Sequence, residues 1–499
     1  MQEINLTPLE IKDVGTVREI KGGVIKIDGL TSCVNGQLIE LAPDLMGMVI
    51  GFTKKDVLVL VLGDENKVHI GDTVYGEEGV FEIPVGSNFL GRVVNTFGQP
   101  LDGKGKIEGV DTYPIFRSAP GVLDRTPIVE PFLTGTKIID TCIPLGKGQR
   151  ELILGDRVTG KTTLVIDAII NQKGKDVICI YCWIGGSQSA FLKIMEQLKA
   201  SGALEWTIVV TASASASPAE QYLVPYAACA LGEYFMDHGR DVFCAFDNLS
   251  RHAWIYREIS LLLERSPGRE AYPGDIFYIH SQLMERAGKL NEEKGSGSMT
   301  FLPIVETQEG DITGLVQSNL VSITDGQIYL SSSLFNEGFR PAIDLGLSVS
   351  RIGSKVQCDA IKKVSRSLKR EFAQFKELAA LTTIRTKLSP EIELRLKKGQ
   401  TLKDFLIQDK SKPLCVEEMI VLFYAFSKEL PQILEESQRS NFKNNIYPYL
   451  LKHHSDIIEE LTIQKLLTGG IERGLDKAFE DFFSDSEEES QVVQEQEAQ

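Results

Sequence analysis

The sequence contains no run of roughly 18 apolar residues, so no segment of it is expected to cross a bilayer as a helix. Its first residues, MQEINLTPLEIKD, lack the basic start and apolar stretch of a secretory signal, and they lack the Arg-rich pattern of an organelle transit peptide. The chain is therefore expected to fold where it is made, or to arrive already trimmed. Basic charge is scarce: 53 Lys and Arg against 69 Asp and Glu leave a formal charge of −16. A general nucleic-acid binder needs a basic face, so no nucleic-acid partner is expected. Cysteine is sparse as well, with eight residues scattered along the chain and most of them inside apolar runs. That usage fits a reducing compartment and buried thiols better than a disulfide framework. Cys179 and Cys182 have the spacing of a redox motif, but they lie in VICIYCWI, which reads as a core strand.

At 499 residues the chain exceeds the ~250–300 residues that one hydrophobic core supports, so two or three domains are expected. Residues 1–73 hold short alternating stretches such as VREIKGGVIKIDGL and KDVLVLVLG, separated by Gly, Asn and Asp. Strands at this spacing predict an N-terminal β-barrel or sandwich, taken here as a barrel. From 74 to 357 apolar strands alternate with helical segments, as in a central α/β domain with a doubly wound parallel sheet. Residues 358–483 carry apolar positions at helical period and predict a C-terminal helical bundle. The last stretch, 484–499, is acidic and without aromatics, which predicts disorder.

The stretch GDRVTGKT, residues 155–162, matches the phosphate-loop pattern G-x-x-x-x-G-K-[ST]. It follows the apolar run RELILG and precedes TTLVIDAII, the strand and helix that this loop requires. Backbone N–H groups of such a loop point at phosphate oxygens, and the helix dipole adds positive potential. Candidate nucleotide-binding residues are thus Gly155, Asp156, Arg157, Val158, Thr159, Gly160, Lys161, Thr162 and Thr163. Lys161 would reach the β- and γ-phosphates and the Thr162 hydroxyl would ligate Mg²⁺. Asp247, ending the apolar run DVFCAFD, is the candidate second Mg²⁺ residue, acting through water; a strand-end Asp also reads as a plain turn residue. Hydrolysis further needs a carboxylate to orient water, placed just past the neighbouring strand. Residues 177–195 contain no Asp or Glu, and IGGSQS stands where the base belongs. The cofactors implied are ATP or ADP with Mg²⁺, held without turnover.

Over nearly the whole chain after residue 14 the sequence resembles the alpha subunits of F-type ATP synthases. The segments that carry the likeness are GDRVTGKT, VGSNFLGRVVNTFGQPLDGKG, SPGREAYPGDIFYIHSQLMERAGKL, SNLVSITDGQIYL and LFNEGFRPAIDLGLSVSRIGS. The resemblance implies a head of three alpha and three catalytic beta subunits around a gamma shaft, with peripheral stalk subunits and a membrane ion-channel sector. It implies a peripheral position on the cytoplasmic face of a bacterial inner membrane, or the equivalent face of an organelle membrane. It implies nucleotide binding without turnover, and it makes Arg351 the arginine supplied in trans to the beta site. A planar, always-charged guanidinium suits charge developing on a transferring phosphoryl group. The competing reading of Arg351 is a surface ion-pair residue. By the same likeness Phe335, Arg340 and Gln408 would line the nucleotide pocket, with packing an equal reading for Phe335.

The chain departs from that family at several places. Val158 and Gly186 stand where glutamines are usual, Lys410 replaces a second adenine-side glutamine, Asn248 replaces an Asp, and IRTKLS at 384–389 replaces an acidic shaft-facing loop. The start of the chain is about a helix short of the family pattern, over the part that normally binds the stalk subunit delta. Three rival readings stay open at this point. They are a self-sufficient secretion-type hexamer, a Rho-type RNA translocase, and a structural relative of alpha outside any ion-driven machine.

Overall fold

The computed structural model describes residues 12–108, 111–382 and 389–497. The chain divides into two compact units, one formed by 1–127, 148–152 and 172–324 and the other by 128–147, 153–171 and 325–499. Its architecture is an N-terminal six-stranded barrel, a central α/β domain and a C-terminal helical domain.

In the first unit the barrel runs β1 (Val14–Lys21), β2 (Val24–Gly29), β3 (Gln37–Ala42), β4 (Leu45–Phe52), β5 (Asp56–Leu62) and β6 (Thr73–Val80), closing in the order β1-β2-β5-β4-β3-β6. All its pairings are antiparallel. The inward residues Val17, Ile25, Ile27, Ile39, Val49, Val59 and Val61 form its core, each at most 1% exposed. Register shifts in the β1–β2, β3–β4, β3–β6 and β4–β5 pairs bend the strands enough to close the sheet. The sequence boundary at 73 falls at the start of β6 and so cuts off the closing strand. TVYGEEGV carries two glycines and two glutamates, which hides the alternation that marked the other strands.

The parallel strands of the first unit lie in the order Ser298–Glu306, Asp241–Asp247, Val177–Ile184, Thr207–Ala212 and Val93–Val94. Every residue of Val177–Ile184 is buried, so the strand that carries Cys179 and Cys182 is core, and burial pushes both thiols well above their ordinary range. The helix Pro218–Asp237 packs on this sheet and is tied by a two-pronged ion pair: Arg286 donates to Glu233 at 2.6 and 2.7 Å, with both side chains 1% exposed. A third Arg286 donor reaches the Ile115 carbonyl at 2.9 Å. Nearby, His252 and His280 are both fully buried; one His252 nitrogen meets the Tyr222 carbonyl at 2.9 Å and one His280 nitrogen meets the Asn319 amide at 2.9 Å.

Gly186 has a steric reason. A Cβ there would fall 2.0 Å from Cζ2 and 2.3 Å from Cε2 of Trp183, whose ring is 7% exposed and packs against Tyr181 and Phe191. The sequence showed Gly186 only as a departure from a usual glutamine. The space is filled from Trp183, so the two residues form one packing unit.

The second unit holds the helix Lys161–Ile170, the strands Gly326–Leu330 and Val349–Ser350, and the helices of the C-terminal domain from Asp359–Ser365 to Gly469–Glu497. That domain is built on buried apolar faces, seen in Met419 to Phe426, all eight buried, and in Phe442, Ile446 and Leu450. The final helix carries on through 484–497, where composition predicted disorder. Glu and Gln are good helix formers, and the preceding turns, with Leu475, Phe479 and Phe482 buried, supply the costly nucleus from which they extend. Of the altered loop 384–389, only Ser389 is among the described residues, where it precedes the helix Pro390–Leu406.

Two outcomes test this packing. Burial lowers His252 to about 4 and His280 to about 3, below the ordinary 6.5. Their contribution is complete above pH 6.5 and is lost as pH falls through that window, by up to ~3 kcal/mol for His252. Thermal unfolding from pH 7 to pH 4 should show the wild type losing ground to His252→Gln, which keeps a donor for Tyr222; parallel curves would show that His252 does not titrate against folding. Gly186→Gln should destabilise by about 1–3 kcal/mol, the usual cost of overpacking, and should cost less when introduced into Trp183→Ala. Urea unfolding of the wild type, both single variants and the double variant checks this, and an unchanged midpoint for Gly186→Gln would mean that the indole yields freely.

Candidate nucleotide site

The phosphate loop begins where the buried strand Leu152–Gly155 ends. Gly155 is held there by contact: a Cβ would lie 2.8 Å from the Leu330 carbonyl oxygen. Gly160, at φ 100°, takes the left-handed conformation that starts the helix Lys161–Ile170. Between them Val158 also has a positive φ of 65°, an unfavourable state for a β-branched residue, and its side chain is 85% exposed. Thr159 is buried and donates to the Asp156 carbonyl at 2.8 Å. Lys161, 6% exposed, folds back so that Nζ donates to the carbonyls of Gly155 at 2.8 Å and Asp156 at 2.5 Å. Arg157 is exposed, and Thr162 and Thr163 are half-buried in the first helical turn.

Three links gather other candidate residues around this loop within the second unit. The Ser332 hydroxyl donates to the Asp156 carboxylate at 2.7 Å. The Gln408 N–H donates to the Arg340 carbonyl at 2.9 Å. The Ser411 N–H donates to Asp167 on the phosphate-loop helix at 2.9 Å. Burial pushes that Asp167 carboxyl up to about 6, against the opposing pull of the Ser411 N–H and Lys410. Phe335 and Arg340 meet as a cation–π pair, with the guanidinium carbon 4.6 Å from the ring centre.

Gln408 has a structural task that the sequence did not show. Its side-chain oxygen accepts from the Lys137 N–H at 2.9 Å, and its amide nitrogen donates to the carbonyls of Gly135 and Lys412, both at 2.8 Å. With both amide protons and the oxygen engaged by backbone, it staples the loop after Leu406. Lys137 is itself 1% exposed and donates to the carbonyls of Phe405 and Ile407, and burial, with Lys443 beside it, pushes its pKa well down.

Asp247 lies in the first unit, 5% exposed at the end of its strand, and accepts from the Tyr181 hydroxyl at 3.0 Å. Asn248 caps the helix Leu249–Leu262 through the Arg251 N–H at 3.0 Å and donates to Glu306 at 3.1 Å, two contacts of which an Asp could make only the first. The turn after Val177–Ile184 runs Gly185, Gly186 and Ser187 into the helix Gln188–Ala200, with no carboxylate in the turn or the helix's first two turns. Sequence reasoning missed Tyr181 and Ser332, because a hydroxyl in an apolar strand and one serine of three in a row carry no spacing signal.

Arg351 follows the two-residue strand Val349–Ser350, which pairs antiparallel with Gly326–Leu330. Its backbone N–H donates to the Asp325 carbonyl at 2.8 Å while its side chain is exposed. Among the described residues its guanidinium has no ion-pair or hydrogen-bond partner. The serines around it are structural: the Ser348 hydroxyl accepts from the Tyr329 N–H at 2.9 Å, and the Ser350 hydroxyl donates to the Pro144 carbonyl at 2.8 Å.

Residues 135–350 match the nucleotide-binding domain of the ATP synthase alpha/beta family, and residues 357–482 match the C-terminal domain of the ATP synthase alpha/beta chain. The chain is 46% identical over 483 residues to the ATP synthase subunit alpha of Clostridium botulinum strain Alaska E43, covering 96% of each chain. It is 47% identical over 477 residues to that of Clostridium botulinum strain Hall, covering 95% of this chain and 94% of the relative. It is 46% identical over 474 residues to that of Clostridium acetobutylicum, with the same coverage. Likeness of this depth, end to end and spanning both the loop and the Arg351 segment, places the chain in the ATP synthase alpha subunit family.

Proposed function

We propose that this chain is the nucleotide-holding, non-hydrolysing subunit of an ATP synthase head, and that Arg351 is its contribution to catalysis, made in trans at a beta subunit. The observation that carries this reading is the exposed guanidinium, without a partner among the described residues, on a backbone anchored from three sides. An arginine on such a pedestal, with no carboxylate beside it among the described residues, is poised for a charge supplied from elsewhere. Its own loop supports binding alone. Lys161 and the loop N–H groups would hold the phosphates of ATP or ADP, and the Thr162 hydroxyl would hold Mg²⁺. The ion, when bound, neutralises charge between the β- and γ-phosphates. Water activation lacks its carboxylate after the strand Val177–Ile184.

The partners that fit are beta and gamma subunits in a head of three alpha and three beta chains, with peripheral stalk subunits. Contact with the membrane would come through the ion-channel sector, on the cytoplasmic face of a bacterial membrane or its organelle equivalent. No helix among the described residues is long and apolar enough to cross a membrane. The secretion-type and Rho-type readings draw no support from the relatives above, all of which are alpha subunits.

Two measurements test the proposal. The isolated chain should bind Mg-ATP, lose that binding in Lys161→Ala, and show no multiple-turnover hydrolysis; turnover abolished by Lys161→Ala would refute the non-hydrolysing reading. In reassembled complexes with beta and gamma, Arg351→Ala should lower turnover by about 10³-fold or more with substrate KM little changed, as expected for a contact made mainly in the transition state. Arg351→Lys should recover little, because an ammonium lacks the planar fork. Near-wild-type turnover of an assembled Ala complex would exclude the trans role.

A further inference from the structure

The chain leading into Arg351 is gripped by a helix that lies after it in sequence. In the helix Leu368–Thr382, Lys369, Phe372 and Lys376 recur at the three- and four-residue spacing that puts side chains on one face, spread over about 10 Å. Each of the three meets the segment before Arg351. At one end the half-buried Lys369 donates from Nζ to the Ser348 carbonyl at 2.9 Å. At the other, Lys376 donates from Nζ to the Asp344 carboxylate at 2.8 Å. Between them the Phe372 ring stacks on Phe339, with centroids 5.6 Å apart and both side chains at most 1% exposed.

The turn from Asp344 to Ser348 is closed on itself and held at both ends. The Asp344 carboxylate also accepts the Gly346 N–H at 2.8 Å, and the Asp344 carbonyl accepts the Ser348 N–H at 3.0 Å. Burial opposes ionisation of Asp344, but Lys376 and the Gly346 N–H hold its carboxyl below the ordinary range, so the ion pair stands at neutral pH. Ser348 is fully buried, and its N–H, hydroxyl and carbonyl are engaged by Asp344, Tyr329 and Lys369 in turn. The bond from Lys369 is the charge-assisted one of the three, a class roughly twice as strong as neutral bonds. Without that ammonium the buried Ser348 carbonyl loses its partner, and the peptide turns to find another. Only the two-residue strand Val349–Ser350 separates that peptide from Arg351. The arginine's charge and exposure would be unchanged while its backbone moved, and a misplacement of ~1 Å costs on the order of 10²-fold in rate where a reaction demands fixed geometry.

We propose that Lys369 is a positioning residue for Arg351: its ammonium, held on the helix Leu368–Thr382, fixes the Ser348 carbonyl and with it the place where the arginine stands, and Lys376 is the second support. The proposal rests on the trans role of Arg351 and adds to it that the arginine is placed from the C-terminal helical domain, by a helix that touches neither the phosphoryl group nor the partner's substrate.

The test is a double-mutant cycle on complexes reassembled with beta and gamma, using Lys369→Met, Arg351→Ala and both together, with steady-state ATP turnover measured on each. Lys369→Met should lower kcat about tenfold, the scale of a displacement smaller than ~1 Å, with substrate KM unchanged. Lys369→Arg, which keeps a charged donor, should recover most of the turnover. Arg370→Ala removes the same charge from the exposed neighbouring position and should leave turnover as it is. In the Arg351→Ala background Lys369→Met should cost nothing further, whereas a merely structural role would multiply the two losses. Wild-type kcat in Lys369→Met, an equal loss in Arg370→Ala, or multiplied losses in the double variant would overturn the proposal. Arg351→Ala alone separates the two readings: loss there with no effect of Lys369→Met leaves the trans arginine standing and removes its support, while wild-type turnover there removes both. Should Lys369→Met fail to assemble, Lys376→Met releases the same turn at Asp344 and carries the same expectations.

Discussion

Burial on both faces of the parallel strands governs the rest of the structure. The strands Val177–Ile184 and Thr207–Ala212 are buried at every residue, as parallel sheets covered on both sides require. A charge along such a strand would cost several kcal/mol unless paired, so polar chemistry is displaced to the strand ends. Asp247 and Glu306 are each the last residue of their strand, and the phosphate loop starts at the last residue of Leu152–Gly155. Hydroxyls do occur within these strands, and that of Tyr181 is directed to Asp247. The same rule disposes of the Cys179 and Cys182 spacing, since burial holds both as neutral thiols.

The loop itself is a balance of local costs. Val158 in the left-handed region costs of order 1–2 kcal/mol, which a glycine would avoid. Lys161, nearly sealed from water, would be far more costly if left alone, and two loop carbonyls meet that need. Because carbonyls are weaker partners than phosphate oxygens, the lysine is held in a form that a nucleotide can displace. Asp156 looks misplaced in an anion site until Ser332 is seen drawing its carboxylate toward the following segment.

The parts of this arrangement that the sequence made legible share a property: each has a spacing or a period. The loop pattern, the alternation in β1 to β5, the apolar runs of the parallel strands and the helical period after 358 all follow from local geometry. What stayed hidden depends on partners distant in the chain. Gln408 was placed at the nucleotide pocket by resemblance, and only the fold brings Gly135 and Lys137 to its amide. Gly186 read as a lost side chain because nothing in IGGSQS reveals that Trp183, three residues earlier, turns its ring into that space. The strand β6 was missed for the converse reason, since its position in a closed barrel compensates for a sequence without clear alternation.

The serines around Arg351 show how a very short element can be made rigid. Val349–Ser350 pairs over two residues only, too few ladder bonds to hold an exposed arginine in one place. Hydroxyls supply what the ladder lacks: Ser348 takes an N–H from the neighbouring strand, and Ser350 ties forward to the Gly353 N–H at 3.2 Å and back to the Pro144 carbonyl. Each such bond is worth only about 0.5–1.5 kcal/mol net, but together they fix the backbone on which the exposed arginine stands. Ordering that backbone would otherwise cost roughly 1–2 kcal/mol per residue. The pedestal is made almost wholly of main chain and serine, and it supplies the order that the contact proposed above for Arg351 would need.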